Sequence, residues 1–352
     1  MTPRRPSDYD EDDVRVRPNP RGSRPRSKDR PRHEDAVPGF VVGVDRGRYT
    51  VTVGEGRSVH DVTAMKAREL GRKGVVVGDR VALVGATGGG PDDLARVVRV
   101  EPRASVLRRT ADDTDDVERI IVANADQLVV VTSLDNPPPR PRLIDRALVA
   151  AYDAGLDPLL ALTKADLTEP SDFLASYAPL DVPYVVTRRA TDAPAGSDGR
   201  PAAIDGLDEL RQRLAGRVSV LLGHSGVGKS TLVNALVPGA LRATGVVNDV
   251  TGRGRHTSTS AVALRLPDGS GWVVDTPGIR SFGLAHVDLA RIINHFPDLE
   301  PGTEQCPRGC THDEPDCALD AWVDSGRAGP AGRSRLDSLR RLLRARNGSV
   351  ED

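Results

Sequence analysis

Three short motifs stand in an order that few folds accommodate: Thr163-Lys164-Ala165-Asp166 first, Gly223-His224-Ser225-Gly226-Val227-Gly228-Lys229-Ser230 second, and Asp275-Thr276-Pro277-Gly278 last. The middle motif follows the apolar run Val218–Leu222 and precedes the helical pattern Thr231–Leu236, the strand, loop and helix context of a phosphate-binding loop. There the glycines let backbone N–H groups approach phosphate oxygens, and the start of the helix favours anions. Lys229 is placed to reach the β and γ phosphates, Ser230 to ligate Mg²⁺, and Thr231 to continue the loop's polar rim. Lysine is scarce in this chain: of 49 basic residues only Lys28, Lys66, Lys73, Lys164 and Lys229 are lysines, and two of them fall in these motifs. Arginine's planar fork does not replace a compact ammonium in a tight phosphate loop.

The flanking motifs fit the same ligand. Asp275 closes the short apolar run Gly271–Val274, so its carboxylate is expected at a strand end in the Mg²⁺ shell, with the Gly278 N–H offered to the γ-phosphate. Thr163, Lys164, Ala165 and Asp166 close a second apolar run, Pro158–Leu162, with Asp166 as acceptor for guanine N1–H and the exocyclic amine. An ordinary guanine-nucleotide fold carries that base-reading motif last. A doubly wound α/β sheet tolerates the rotation, because loops at the carboxyl ends of its strands build the site and a cut in a surface connection leaves that rim intact. Strands are predicted at Ile120–Ala123 or Gln127–Val131, then at Leu159–Leu162, Tyr184–Val186, Val218–Leu222, Ala261–Leu266 and Trp272–Val274. Helices are predicted at Arg142–Ala154, Leu207–Leu214 and Lys229–Leu236, and a loop through Thr187 and Arg188 is expected beside the base.

The motif order, the segment Gly252–Thr259 between the phosphate loop and Asp275, and a cysteine cluster downstream resemble the ribosome small subunit-dependent GTPase A family over residues 38 to 325. The resemblance implies a circularly permuted GTPase that acts late in maturation of the small (30S) ribosomal subunit and contacts its 16S rRNA. It also implies an N-terminal OB-type barrel and a C-terminal zinc module. The expected fold is therefore an α/β P-loop GTPase domain with a doubly wound sheet, an all-β barrel before it and a small α-helical zinc-binding domain after it. The corresponding segments are a disordered tail over 1–37, the barrel over 38–103, the GTPase domain over 104–285 and the zinc domain over 286–352.

Cys306, Cys310, His312 and Cys317 include every cysteine of the chain. Three thiolates and an imidazole make a closed tetrahedral Zn²⁺ site of structural type, and a disulfide with one free thiol is the competing reading. For the hydrolytic step, Ile279 stands where Ras-like enzymes carry the glutamine that orients water, so slow intrinsic turnover is expected. His256 is the internal catalytic candidate beside Lys229, against the reading that it is a solvated loop histidine. Thr257 is the expected switch ligand of Mg²⁺, with Ser258 and Thr259 open alternatives.

The remaining segments are read more coarsely. Residues 1–37 are rich in Pro, Arg, Asp and Ser without apolar periodicity, and either contact RNA or simply solvate the chain. Alternating segments at Phe40–Val44, Tyr49–Val53, Val59–Thr63, Val75–Val84 and Leu94–Val100 fit a five-stranded OB-type barrel. Only Phe40 and Tyr49 are available there for base stacking, so RNA binding would rest on arginine and shape, or the barrel serves packing alone. Ala190–Pro201 reads as a surface insert. Leucines 336, 339, 342 and 343 predict a helix over Ser334–Arg346, docked on its own domain with an exposed arginine face. The net charge of −1 gives no electrostatic argument for RNA, and no apolar run reaches membrane-spanning length. A cytoplasmic monomer using GTP, Mg²⁺ and one structural Zn²⁺ is expected. The alternative function is a GTP-regulated RNA-binding module or chaperone acting on another RNA.

Overall fold

The computed structural model describes residues 33–71, 74–109, 119–190, 203–240, 261–276, 284, 287 and 289–347. His256, Thr257, Ser258, Thr259, Gly278, Ile279 and most of the tail and of the Ala190–Pro201 insert lie outside the described residues. The described residues from Asp35 onward belong to one compact unit.

Five strands come first: β1 (Val37–Asp45), β2 (Arg48–Val53), β3 (His60–Lys66), β4 (Arg80–Gly85) and β5 (Ala95–Val100). Alternation in β2 turns Tyr49, Val51 and Val53 inward, and β3 adds Val62 and Ala64. The strands close on themselves: β1 pairs β2, β2 pairs β3, β3 runs parallel to β5, β5 pairs β4, and β4 returns to β1. This is the expected barrel, with one difference. Its fourth strand starts only at Arg80, because Gly78 takes φ +89 and Val77 forms a bridge to Val122 outside the barrel.

β6 (Val106–Arg109) and β7 (Arg119–Ala123) then form a separate hairpin, so the Ile120–Ala123 strand exists but stays out of the main sheet. The main sheet contains β8 (Gln127–Ser133), β9 (Asp157–Thr163), β10 (Tyr184–Val186), β13 (Val218–Leu222), β14 (Val262–Arg265) and β15 (Trp272–Asp275), in the order β10-β9-β8-β13-β15-β14. All neighbours are parallel except β14 and β15. A two-residue pair, β11 (Arg188–Arg189) with β12 (Ile204–Asp205), stands aside.

Period-two packing explains why the central strands read as unbroken apolar runs. Leu128, Val130, Leu160, Leu162, Val220 and Leu222 face one apolar cluster with α1 (Pro141–Asp153), while Val129, Val131, Leu159, Ala161 and Leu221 face the other. The second cluster is completed by α3 (Leu207–Leu214) and α4 (Lys229–Leu236), and a short α2 (Ser171–Tyr177) precedes β10. The sheet is thus doubly covered, as expected.

Barrel and sheet are continuous. Gly43 of β1 pairs with Val262 of β14, making eleven strands in series, and Phe40 packs on Trp272 with ring centroids 4.8 Å apart. Buried Asp79 takes a two-pronged bond from Arg103 at 2.7 and 2.8 Å and accepts the Val76 N–H at 2.8 Å. Asn124 donates to Gly78 O at 2.9 Å and accepts from Ala104 N at 2.8 Å. Both barrel aromatics are therefore spent internally, Phe40 on Trp272 and Tyr49 in the barrel core.

The chain ends in α5 (Leu289–Ile293), α6 (Ala318–Asp324) and α7 (Gly332–Asn347). Leu336, Leu339, Leu342 and Leu343 are buried in the cluster that also holds α1, each stabilising the dock by about 1.5–3 kcal/mol. Arg333 and Arg344 are exposed as expected, and the arginines are not free: Arg333 and Arg340 pair with Asp320, Arg335 with Asp298, Arg341 with Asp145 and Arg344 with Asp313. Arg335 also lies over the Phe296 ring and Arg341 over the Tyr177 ring, so their stems cover apolar surface while the guanidinium groups meet carboxylates of other segments. Among the described residues no helix is long and apolar enough to cross a membrane.

Candidate active site

The carboxyl ends of β13, β15, β8, β9 and β10 lie along one rim of the parallel sheet, and every loop of interest leaves from there. From β13 the chain enters residues 223–228 and starts α4 at Lys229. Glycine is required at two places. A Cβ at Gly223 would stand 2.6 Å from Val131 O, and Gly228, which caps α4, takes φ +89. Ser225 and Gly226 are exposed, Val227 is buried as the loop's apolar anchor, and Ser230 and Thr231 are exposed on the first turn of the helix. His224 turns inward: it is buried, its Nδ1 lies 3.1 Å from Ser225 O, and burial above all holds its pKa below the ordinary histidine value. It offers the loop its backbone and not its ring.

Lys229 and Asp275 form a direct ion pair between the helix start and the end of β15. Thr276, the next residue, donates its hydroxyl to Leu221 O at 2.8 Å and so fixes the exit of β15 against β13.

The base-side motif is tied to the phosphate loop by one bond. Thr163 Oγ1 donates to Val227 O at 2.6 Å, between residues 64 positions apart. Lys164 sits in the left-handed region at φ +59 and its ammonium donates to Asn136 O, in the loop after β8. Ala165 N donates to Thr187 O at 3.2 Å, and Thr187 in turn donates through N and Oγ1 to Leu162 O. Exposed Asp166 accepts the Arg189 N–H at 3.1 Å. Asn136, Thr163, Lys164, Asp166, Thr187 and Arg189, together with Leu167, Arg188, Ile204, Gly228 and Thr231, line a cavity of about 340 Å³. Thr187 and Arg188 thus do stand beside the motif. Asn136, Leu167, Arg189 and Ile204 were not legible as site residues, since none belongs to a motif.

Away from the rim, Cys306, Cys310, His312 and Cys317 converge so that their ligand atoms all lie within 4.8 Å of one another. Cys306 Sγ is 3.6 Å from His312 Nδ1 and 3.9 Å from Cys317 Sγ, and Cys317 Sγ is 3.9 Å from His312 Nδ1. With Zn–S bonds of about 2.3 Å, the ligands of a tetrahedral site stand about 3.8 Å apart, so this cluster fits the ion. The cysteines are free of disulfides, and burial first of all pushes their pKa values up, that of Cys310 to about 11. A nearby cation offsets that cost for the thiolates. Glu314 accepts from Thr311 N and Oγ1 and holds the turn between the ligands.

A doubly wound sheet that receives its base-side loop before its phosphate loop, with a barrel ahead and a three-cysteine, one-histidine cluster behind, defines a circularly permuted P-loop GTPase. The solved structures agree in fold. YjeQ from Thermotoga maritima superposes with a TM-score of 0.61 at 26% identity, over 89% of this chain and 99% of that one. YloQ, a circularly permuted GTPase, gives 0.60 at 21% over 92% and 100%. The profile of the RsgA GTPase family matches residues 100–285, and the chain belongs to that family of GTP hydrolases. A relative from Chlorobaculum parvum, named small ribosomal subunit biogenesis GTPase RsgA, is 36% identical over 304 residues, 83% of this chain and 94% of that protein. The protein of the same name from Pseudomonas aeruginosa is 38% identical over 279 residues, 76% and 75% of the two chains.

Proposed function

We propose that this chain hydrolyses GTP on the small ribosomal subunit, in contact with 16S rRNA, as a cytoplasmic monomer that assists the subunit's late maturation. The observation that carries the reading is the Thr163–Val227 bond, which ties a guanine-type motif to a phosphate loop beside a cavity that Asp166, Gly228 and Thr231 line. In this reading Asp166 accepts from the base, and the stem of Lys164 lies along it. Backbone N–H groups of Gly223, His224, Ser225, Gly226, Val227 and Gly228 cradle the phosphates, and Thr231 completes the rim.

Lys229 exchanges its Asp275 partner for phosphate oxygens, which frees the Asp275 carboxylate for the metal shell that Ser230 shares. Mg²⁺, when bound, neutralises charge developing between the β and γ phosphates. Gly278, Thr257 and His256 are assigned the γ-phosphate N–H, the switch ligand and the water-orienting role; all three lie outside the described residues. Cys306, Cys310, His312 and Cys317 hold one structural Zn²⁺, with no open position for chemistry.

The test is steady-state GTP hydrolysis with and without purified 30S subunits. Strong stimulation by 30S, absent with 50S particles and abolished by Ser230→Ala, is expected; an unstimulated rate would overturn the ribosomal assignment.

A further inference from the structure

The pair β11–β12 belongs to neither the sheet nor the barrel, and its ladder is only two residues long. Ala190 N donates to Ala203 O at 3.0 Å, which makes residues 190 and 203 a hydrogen-bonded pair. In an antiparallel ladder such pairs alternate with non-bonded ones, so the 189 and 204 pair leaves the Arg189 N–H pointing out of the ladder. That N–H is the one bonded to Asp166 Oδ1 at 3.1 Å. On the partner strand Ile204 lines the cavity that Asp166 also lines. The approach is close: Gly206, just after Ile204, takes φ +82, and a Cβ there would stand 2.2 Å from Val186 O.

We propose that the β11–β12 pair is a base clamp, in which the main-chain N–H of Arg189 sets the plane of the Asp166 carboxylate and Ile204 supplies an apolar wall for the guanine of a nucleoside di- or triphosphate. The proposal rests on Asp166 being the guanine acceptor. An exposed carboxylate on a loop turns freely, and a bond to one oxygen holds it in place before the base arrives. Each carboxylate oxygen has two acceptor sites, so Oδ1 keeps one for the base while Oδ2 keeps both. Guanine presents two donors on one edge and hypoxanthine one, so a fixed carboxylate plane discriminates between them. Arg189 is in this sense a positioning residue, and its side chain is not the part that acts.

The experiment compares Arg189→Pro with Arg189→Ala. Both lose the guanidinium and only the first loses the N–H, and proline costs the ladder nothing at a non-bonded position. Binding of GDP and IDP to the full-length chain is measured by displacement of a fluorescent GDP analogue. The preference for GDP over IDP is expected to fall about tenfold further in Arg189→Pro than in Arg189→Ala. Equal preferences in the two variants, with discrimination lost in Asp166→Ala, would overturn the clamp and leave the nucleotide site standing. Wild-type discrimination in Asp166→Ala would overturn the site reading itself. Should Arg189→Pro fail to fold, amide exchange at Arg189 decides: it is expected to accelerate in Asp166→Ala, and an unchanged rate refutes the bond's role.

Discussion

Asp145 lies on α1 with 3% of its surface exposed, facing Tyr177 of α2 and Arg341 of α7. Its Oδ1 has no hydrogen-bond partner, and Arg341 Nε stands 3.1 Å from Oδ2. Burial outweighs the guanidinium and raises the carboxyl pKa from 3.8 to about 6. A folded pKa above the unfolded one means the folded state holds the proton more tightly. Its stabilisation is therefore complete below the unfolded pKa of 3.8 and is lost as pH rises through about 6. The full span is about 3 kcal/mol, of which about 2 kcal/mol falls between about pH 4.5 and about pH 7.5. Replacing Asp145 by Asn removes the titration. The unfolding free energy of wild type minus that of Asp145→Asn, from urea melts across that range, is expected to decline by about 2 kcal/mol with rising pH. A flat difference would show that water reaches Asp145.

The helix α7 does two jobs from its two sides. Toward the sheet it buries its leucines against α1 and accepts Arg146 Nη1 at Ala345 O, 2.7 Å away. Toward the cysteine cluster Arg340 donates to His312 O at 3.0 Å and pairs with Asp320 at 2.5 Å, while Arg344 takes Asp313. The turn that carries the cysteine cluster is thus pinned from behind by a helix that is itself packed on α1. Groups that orient metal ligands typically contribute 10–100-fold in metal affinity. Arg340→Ala is expected to weaken zinc about tenfold or more in a competition titration with a chromogenic chelator, with zinc stoichiometry unchanged when zinc is in excess.

The leucine spacing of α7 was plain in the sequence because its helical period is local, and the arginine partners were hidden because Asp145, Asp298, Asp313 and Asp320 come from other segments. The same division holds elsewhere. Doubly buried strands such as β8 announce themselves as continuous apolar runs, and each motif is a contiguous string whose chemistry is carried by residue type. β11 and β12 are too short for periodicity, and the bond from Thr163 to Val227 depends on β9 and β13 both flanking β8.

Among the described residues, barrel and sheet are joined by direct contacts. β1 belongs to the barrel and pairs with β14, Phe40 packs on Trp272, and Asp79, Arg103 and Asn124 knot the crossing where Gly78 takes φ +89. A Cβ at Gly78 would stand 1.9 Å from Ala123 O, a backbone atom that cannot step aside without moving β7. Gly78→Ala therefore opposes both a left-handed backbone and a steric wall, at a cost of about 3 kcal/mol or more. Because the strand ladder passes through this crossing, the loss is expected to be shared by the two domains and not absorbed by the barrel alone. In a Trp322→Phe background, which leaves Trp272 as the sole tryptophan of the two, Trp272 fluorescence reports the joint and far-ultraviolet circular dichroism the whole chain. The two signals are expected to melt together in the parent, and to move together to a Tm lower by roughly 6–12 °C in Gly78→Ala. A fluorescence transition that separates from the dichroism would mean that the barrel opens independently, and that the eleven-strand series is not one cooperative body.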